Sequence, residues 1–128
     1  MRVDPRTQSG HRPSLVIFDV NETLSDMSGL AAKFAELGVR PELAATWFSG
    51  LLRDGFALTV TRQNPDFTTL ATTSLRGVLQ AHGVSDLDAA VKTVMGAFAE
   101  LPVHADVVEG VRALAAAGAE TTAAASPT

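Results

Sequence analysis

The chain has 128 residues, enough for one domain or part of a larger one. Hydrophobic residues make up 46% and charged residues 19%, too apolar and too sparsely charged for a disordered chain. Ten basic against fourteen acidic residues leave a formal charge of −4, which argues against a general electrostatic grip on nucleic acid, and cysteine is absent, which removes disulfide scaffolds, zinc–thiolate sites and thiol nucleophiles.

Residues 1–13 are polar, broken by prolines and a glycine, and read as a flexible leader without the apolar stretch of a secretory signal. No apolar run approaches the roughly 18 residues of a membrane span, so the expectation is a cytoplasmic protein with no membrane partner. Leu15-Val16-Ile17-Phe18 follows, apolar without alternation, and predicts a strand buried on both faces as in a parallel sheet. It delivers Asp19 to its carboxyl end, the edge where open α/β sheets hold their ligands.

Beyond Thr23 the period becomes helical. Leu30, Phe34 and Leu37 share a face that ends at Gly38, and Pro41 suits the first turn of a helix carrying Leu43, Trp47, Leu51 and Leu52. That helix can run through Phe56 to Val60, weakened by Gly50 and Gly55. Asp66 and Asp86 are placed to cap two further helices, one through Leu70, Leu75, Val78 and Leu79 to Gly83, the other through Val91, Val94, Met95 and Phe98. A last helix, about 106–117, carries Val107, Val111 and Leu114 and stops at Gly118. Residues 119–128 hold alanine, threonine, one glutamate, serine and proline, and predict a disordered tail rather than a strand.

The stretch Leu15-Val16-Ile17-Phe18-Asp19-Val20-Asn21-Glu22-Thr23-Leu24 carries the chemistry. A carboxylate at a strand end, surrounded by backbone N–H groups of the following turn, stays ionised and aimed, and can attack an electrophilic carbon or phosphorus. The plainer reading is that Asp19 is a turn residue and Thr23 a helix cap. The run resembles the first motif of the haloacid dehalogenase (HAD) superfamily, an apolar strand followed by DxDx(T/V), and FDVNETL before a helical insertion looks most like the type II L-2-haloacid dehalogenase branch. The resemblance spans Leu15 to about Gly118.

The resemblance implies an α/β fold, a HAD-like Rossmannoid core, incomplete here, with an inserted helical cap, so that the residues present are mostly helical. Residues 14–27 and 100–118 would be partial core and 28–99 the cap. It implies hydrolysis of a (S)-2-haloacid through an aspartyl ester, with no metal or other cofactor. Asp19 would be the nucleophile and Thr23 its hydrogen-bonding helper. Asn21 stands where HAD phosphatases usually carry a second aspartate as general acid; halide leaves as a stable anion and needs none. Asn21, Arg53 and Trp47 are the candidate substrate-binding residues. A guanidinium suits a carboxylate or a halide, although Arg53 reads equally as a solvated partner of Asp54, and Trp47, Phe48 and Phe56 read equally as cap core. His11, His82 and His104 are too dispersed for a metal set and are expected to face solvent.

The family's later motifs, a strand ending in Ser or Thr and then a Lys or Arg, are missing from these residues: no basic residue follows Arg112, and Ser126 before Pro127 is a poor substitute. The chain therefore resembles an N-terminal portion, truncated or frameshifted after Gly118, with impaired or absent activity expected. Two other readings stand beside this one. A HAD phosphatase fragment would need Mg²⁺ at Asp19 and further acids, and a non-catalytic helical interaction module would use exposed core to form a homodimer.

Overall fold

A computed structural model of the chain describes residues 10–124. The element order is β1 (Leu15–Asp19), α1 (Ser28–Glu36), α2 (Leu43–Val60), α3 (Phe67–Ala81), α4 (Leu87–Ala99), α5 (Val107–Ala116) and β2 (Glu120–Ala124). Residues 10–13 have no regular structure, whereas residues 1–9, the rest of the expected leader, lie outside the described residues, as does Ser126.

The helices form where the apolar period and the caps agree. Asp66 accepts the Thr69 N–H at 2.9 Å and Asp86 accepts the Ala89 N–H at 3.2 Å, so each aspartate satisfies a donor that the first helical turn leaves free. Gly38 and Gly118 follow α1 and α5 with φ of 75° and 88°, where a side chain would be strained. The second helix runs unbroken through Gly50 and Gly55 to Val60, anchored by the face that carries Ala44, Trp47, Phe48 and Leu51.

Helices α1 to α4 share one core. Leu30, Phe34, Trp47, Leu51, Leu75, Leu79 and Val94 are its fully enclosed side chains. Phe98 of α4 gathers the aromatic residues: its ring lies edge-on to Trp47 at 6.1 Å and stacks on Phe67 at 5.7 Å. Trp47 leaves no orphan donor in this core, since its Nε1–H donates to Ser74 Oγ at 3.0 Å.

Outside the bundle, β1 and β2 form a two-stranded parallel sheet with Leu15 opposite Glu120 and Asp19 opposite Ala124. This corrects the expectation of a disordered tail over residues 119–128, of which 120–124 are strand. A buried strand would need large apolar residues, but β2 is largely exposed, and β-branched Thr121 and Thr122 with alanine suffice there. A second difference concerns β1: Val16 and Phe18 turn inward, yet Leu15 and Ile17 are 48% and 61% exposed. Helix α5 packs against β2, and a cavity lined by Phe18, Val111 and Leu114 lies between it and β1, so the apolar run does not signify burial on both faces. Phe56, at helical spacing with the bundle core, is also exposed.

The bundle joins the sheet through two chain crossings that lie side by side. Asp26 N–H donates to Pro102 C=O at 2.8 Å and His104 N–H donates to Leu24 C=O at 2.9 Å, an antiparallel bridge centred on Ser25 and Val103. No helix among the described residues is long and apolar enough to cross a membrane.

Leu75→Ala should lower stability by about 2–5 kcal/mol, because the enclosed cavity collapses only partly. Breaking the surface pair of Arg76 and Asp88 should cost less than about 1 kcal/mol. Asp66→Ala should lower the melting temperature by a few degrees through loss of the α3 cap. Denaturant and thermal melts of the three variants check the ranking.

Candidate active site

The site is built on one tight turn. After β1 the chain makes a tight turn in which Leu24 and Ser25 N–H both donate to Val20 C=O, at 2.9 and 3.0 Å. The turn folds Thr23 back over the strand end, and its Oγ1–H donates to Asp19 Oδ2 at 2.9 Å. This bond orients the carboxylate through Oδ2. Strand alternation puts Asp19 on the same side as the exposed Leu15 and Ile17, and the carboxylate is solvent-accessible. Asn21 lies half-buried in the same turn.

Glu22 occupies the left-handed region with φ 63°, a conformation that costs an ordinary side chain about 1–2 kcal/mol. The turn keeps it because its neighbours are hydrogen-bonded on both sides. Beside it lies a cavity of about 500 Å³ lined by Glu22, Ser25, Asp26, Met27, Leu30, Glu42 and His104, among others. Carboxylates therefore outnumber the one imidazole around this cavity.

His104 is the residue that the sequence argument missed. It was expected at the solvent, but it is half-buried, and its ring Nε2 lies 3.3 Å from Glu22 C=O. Nothing local marks it: the contact joins residues 82 positions apart. His82 is exposed at the end of α3, as expected, with Nδ1 at 2.8 Å from Val78 C=O. Among the described residues no three His, Asp or Glu side chains cluster so as to hold a metal ion.

Trp47 and Arg53 lie elsewhere. Trp47 is 2% exposed, a core residue fixed by Ser74, and Arg53 is 77% exposed, its Nε–H donating to Asp54 Oδ1 at 3.1 Å. Both line a groove between α2 and α3 to which no residue of the Asp19–Thr23 turn contributes. The structure thus brings together Asp19, Thr23 and Asn21, and does not bring Arg53 or Trp47 to them.

The comparisons with known proteins agree with this architecture. A dehalogenase of known crystal structure superposes with a TM-score of 0.83 at 24% sequence identity, over 91% of this chain and 52% of that chain. A dehalogenase crystallised with an intermediate complex gives 0.81 at 24% identity, over 92% and 54%. The chain thus has an α/β fold like that of these dehalogenases, with a helical insertion and, among the described residues, a sheet of two strands, and it spans about half the length of these proteins. No family profile and no curated protein matches the sequence.

Asp26 supplies a pH test of the clasp between bundle and sheet. The Ser28 backbone N–H, at 3.0 Å, and then the Ser28 hydroxyl hold its carboxyl below the ordinary 3.8, with the His104 charge adding to the effect. A lowered folded-state pKa gives stability that is present above 3.8 and is lost as pH falls through the lowered value. Asp26→Asn should remove part of the acid sensitivity below pH 4, measured as a smaller fall in melting temperature between neutral and acid pH.

Proposed function

We propose that this chain carries the nucleophile and cap portion of a HAD-like hydrolase that cleaves a carbon–halogen bond of a small 2-haloacid. The observation that carries the reading is the Thr23 hydroxyl bonded to Asp19 Oδ2 at 2.9 Å, at the carboxyl end of a parallel strand. In this reading residues 14–27 and 100–118, with β2, are the core side and 28–99 the cap. The dehalogenase fold of the two structural neighbours supports it.

Asp19 Oδ1 attacks C2 of the haloacid from the side opposite the halogen, the C–O bond forms as the carbon–halogen bond breaks, and halide leaves with the bonding pair. Thr23 holds Oδ2, so one oxygen faces the substrate throughout. Halide is stable as an anion, which agrees with an amide rather than a carboxylic acid at Asn21. Water then hydrolyses the ester to release the 2-hydroxyacid and return the Asp19 carboxylate, with configuration at C2 inverted.

Two features make the chemistry slow in these 128 residues. Glu22, Asp26 and Glu42 line the neighbouring cavity, so an anionic haloacid approaches against like charge. Asp19 also sits at the end of a sheet with one exposed face, where water weakens any electrostatic preorganisation.

The first half-reaction is the test. Purified chain incubated with 2-chloropropionate should acquire one ester-linked propionate unit on Asp19, located by peptide mass spectrometry, while Asp19→Asn acquires none. Free hydroxyacid should accumulate slowly or not at all. Absence of the adduct, or its appearance on another carboxylate, overturns the proposal. A second reading, a non-catalytic module that forms a homodimer, is favoured by the exposure of Leu15 and Ile17. A stable dimer by light scattering, with no ester on Asp19, would favour it instead.

A further inference from the structure

Thr23 is flanked by two carbonyl groups, Glu22 C=O and Leu24 C=O, and His104 approaches both of them. Its ring Nε2 lies 3.3 Å from Glu22 C=O and its backbone N–H donates to Leu24 C=O at 2.9 Å. We infer that His104 is a positioning residue for Asp19, clamping the Glu22–Thr23 and Leu24–Ser25 peptide groups so that the Thr23 hydroxyl stays on the carboxylate. This inference rests on the proposed function only in taking Asp19 as the nucleophile.

Three observations converge on it. First, a carbonyl oxygen only accepts, so His104 Nε2 carries the proton in this contact, and the ring donates in both its neutral Nε2–H and its charged form. Second, the residue whose carbonyl it holds is the one with the unfavourable backbone, Glu22 at φ 63°. The other non-glycine residue at positive φ among the described residues, Arg62 at 60°, stands just past α2, where Gln63 N–H donating to Leu58 C=O closes the helix in the usual way. Glu22 has no helix end to account for it. Third, the hydrogen bonds Leu24 N–H and Ser25 N–H to Val20 C=O complete the turn only if Glu22 keeps its conformation, and Thr23 reaches Asp19 from within that turn.

The clamp also reaches the site from the far side of the helical insertion. His104 belongs to the returning segment, next to the bridge residue Val103, so the turn is fixed only when the insertion has folded and its two ends have met. A residue that merely tied the two crossings together would need its backbone N–H alone. The imidazole contact with Glu22 is additional to the bridge and acts on the turn.

The test uses the full chain, with His104→Ala, His104→Gln, Glu22→Gly and the double variant His104→Ala/Glu22→Gly. Two readouts are followed: the rate of ester formation on Asp19 with 2-chloropropionate, and hydrogen exchange of the Leu24 and Ser25 amides. His104→Ala should slow ester formation about tenfold at saturating substrate, leave the half-saturating concentration unchanged and speed exchange of both amides by a similar factor. His104→Gln, which keeps an N–H donor, should stay within about threefold of the parent in both readouts. Glu22→Gly removes the backbone strain, so the double variant should recover to within about threefold of Glu22→Gly alone. Unchanged rate and exchange in His104→Ala, or a double variant no better than His104→Ala, overturns the inference. So does a loss in His104→Ala that accompanies global unfolding and is not repaired in His104→Gln. If the parent forms no ester, the proposed function fails, and amide exchange in the same four variants decides the clamp on its own.

Discussion

Parallel pairing of Leu15–Asp19 with Glu120–Ala124 is the constraint on which the rest of the molecule depends. Strands that run the same way cannot be joined by a tight turn; the chain must leave one end of the sheet and come back to the other. Here it leaves at Val20, builds four helices with a core of their own, and returns at Pro102 to make α5 against the sheet. The antiparallel bridge of Ser25 and Val103 is where departure and return meet. Because that bridge lies a few residues after Asp19, the turn that follows Asp19 and the neck of the helical insertion are one structure. Residues 20–26 make the turn, and residues 102–104 brace it.

Two kinds of stabilisation follow from this layout. The bundle is held by enclosed apolar side chains, with no buried side-chain nitrogen or oxygen left without a partner among the described residues. The sheet, with small or exposed residues on β2 and an uncovered face on β1, depends on backbone hydrogen bonds and on α5. Asp19 is presented from the weaker of the two, and the clasp through Leu24, Asp26, Pro102 and His104 lends it the rigidity of the stronger.

The sequence revealed the parts of this design that are written locally. Asp66 and Asp86 cap because an aspartate three residues ahead of a free amide can do little else as well, and Gly38 and Gly118 mark helix ends because few residues tolerate their φ. The pairing of Thr23 with Asp19 was legible only through the likeness of the Leu15–Leu24 run to a known motif, since spacing alone also allowed Thr23 as a helix cap. What stayed hidden was set by distant partners. Nothing in Glu-Thr-Thr-Ala-Ala announces a strand until Leu15–Asp19 lies beside it. A glutamate does not announce left-handed backbone, and His104 reaches Glu22 only through the folded insertion. Trp47 and Arg53 were ambiguous because helical spacing fixes the face of a helix and not what that face meets; Ser74 and Asp54 are what they meet.

The division of the molecule into bundle and sheet has a spectroscopic corollary. The chain has one tryptophan and no tyrosine. That tryptophan, Trp47, sits between Phe34 and Phe98 inside the bundle, remote in construction from β1 and β2. Its emission is therefore a gauge of one compartment: the indole keeps its native signal while the strands fray, and changes only when the four-helix interior opens to water.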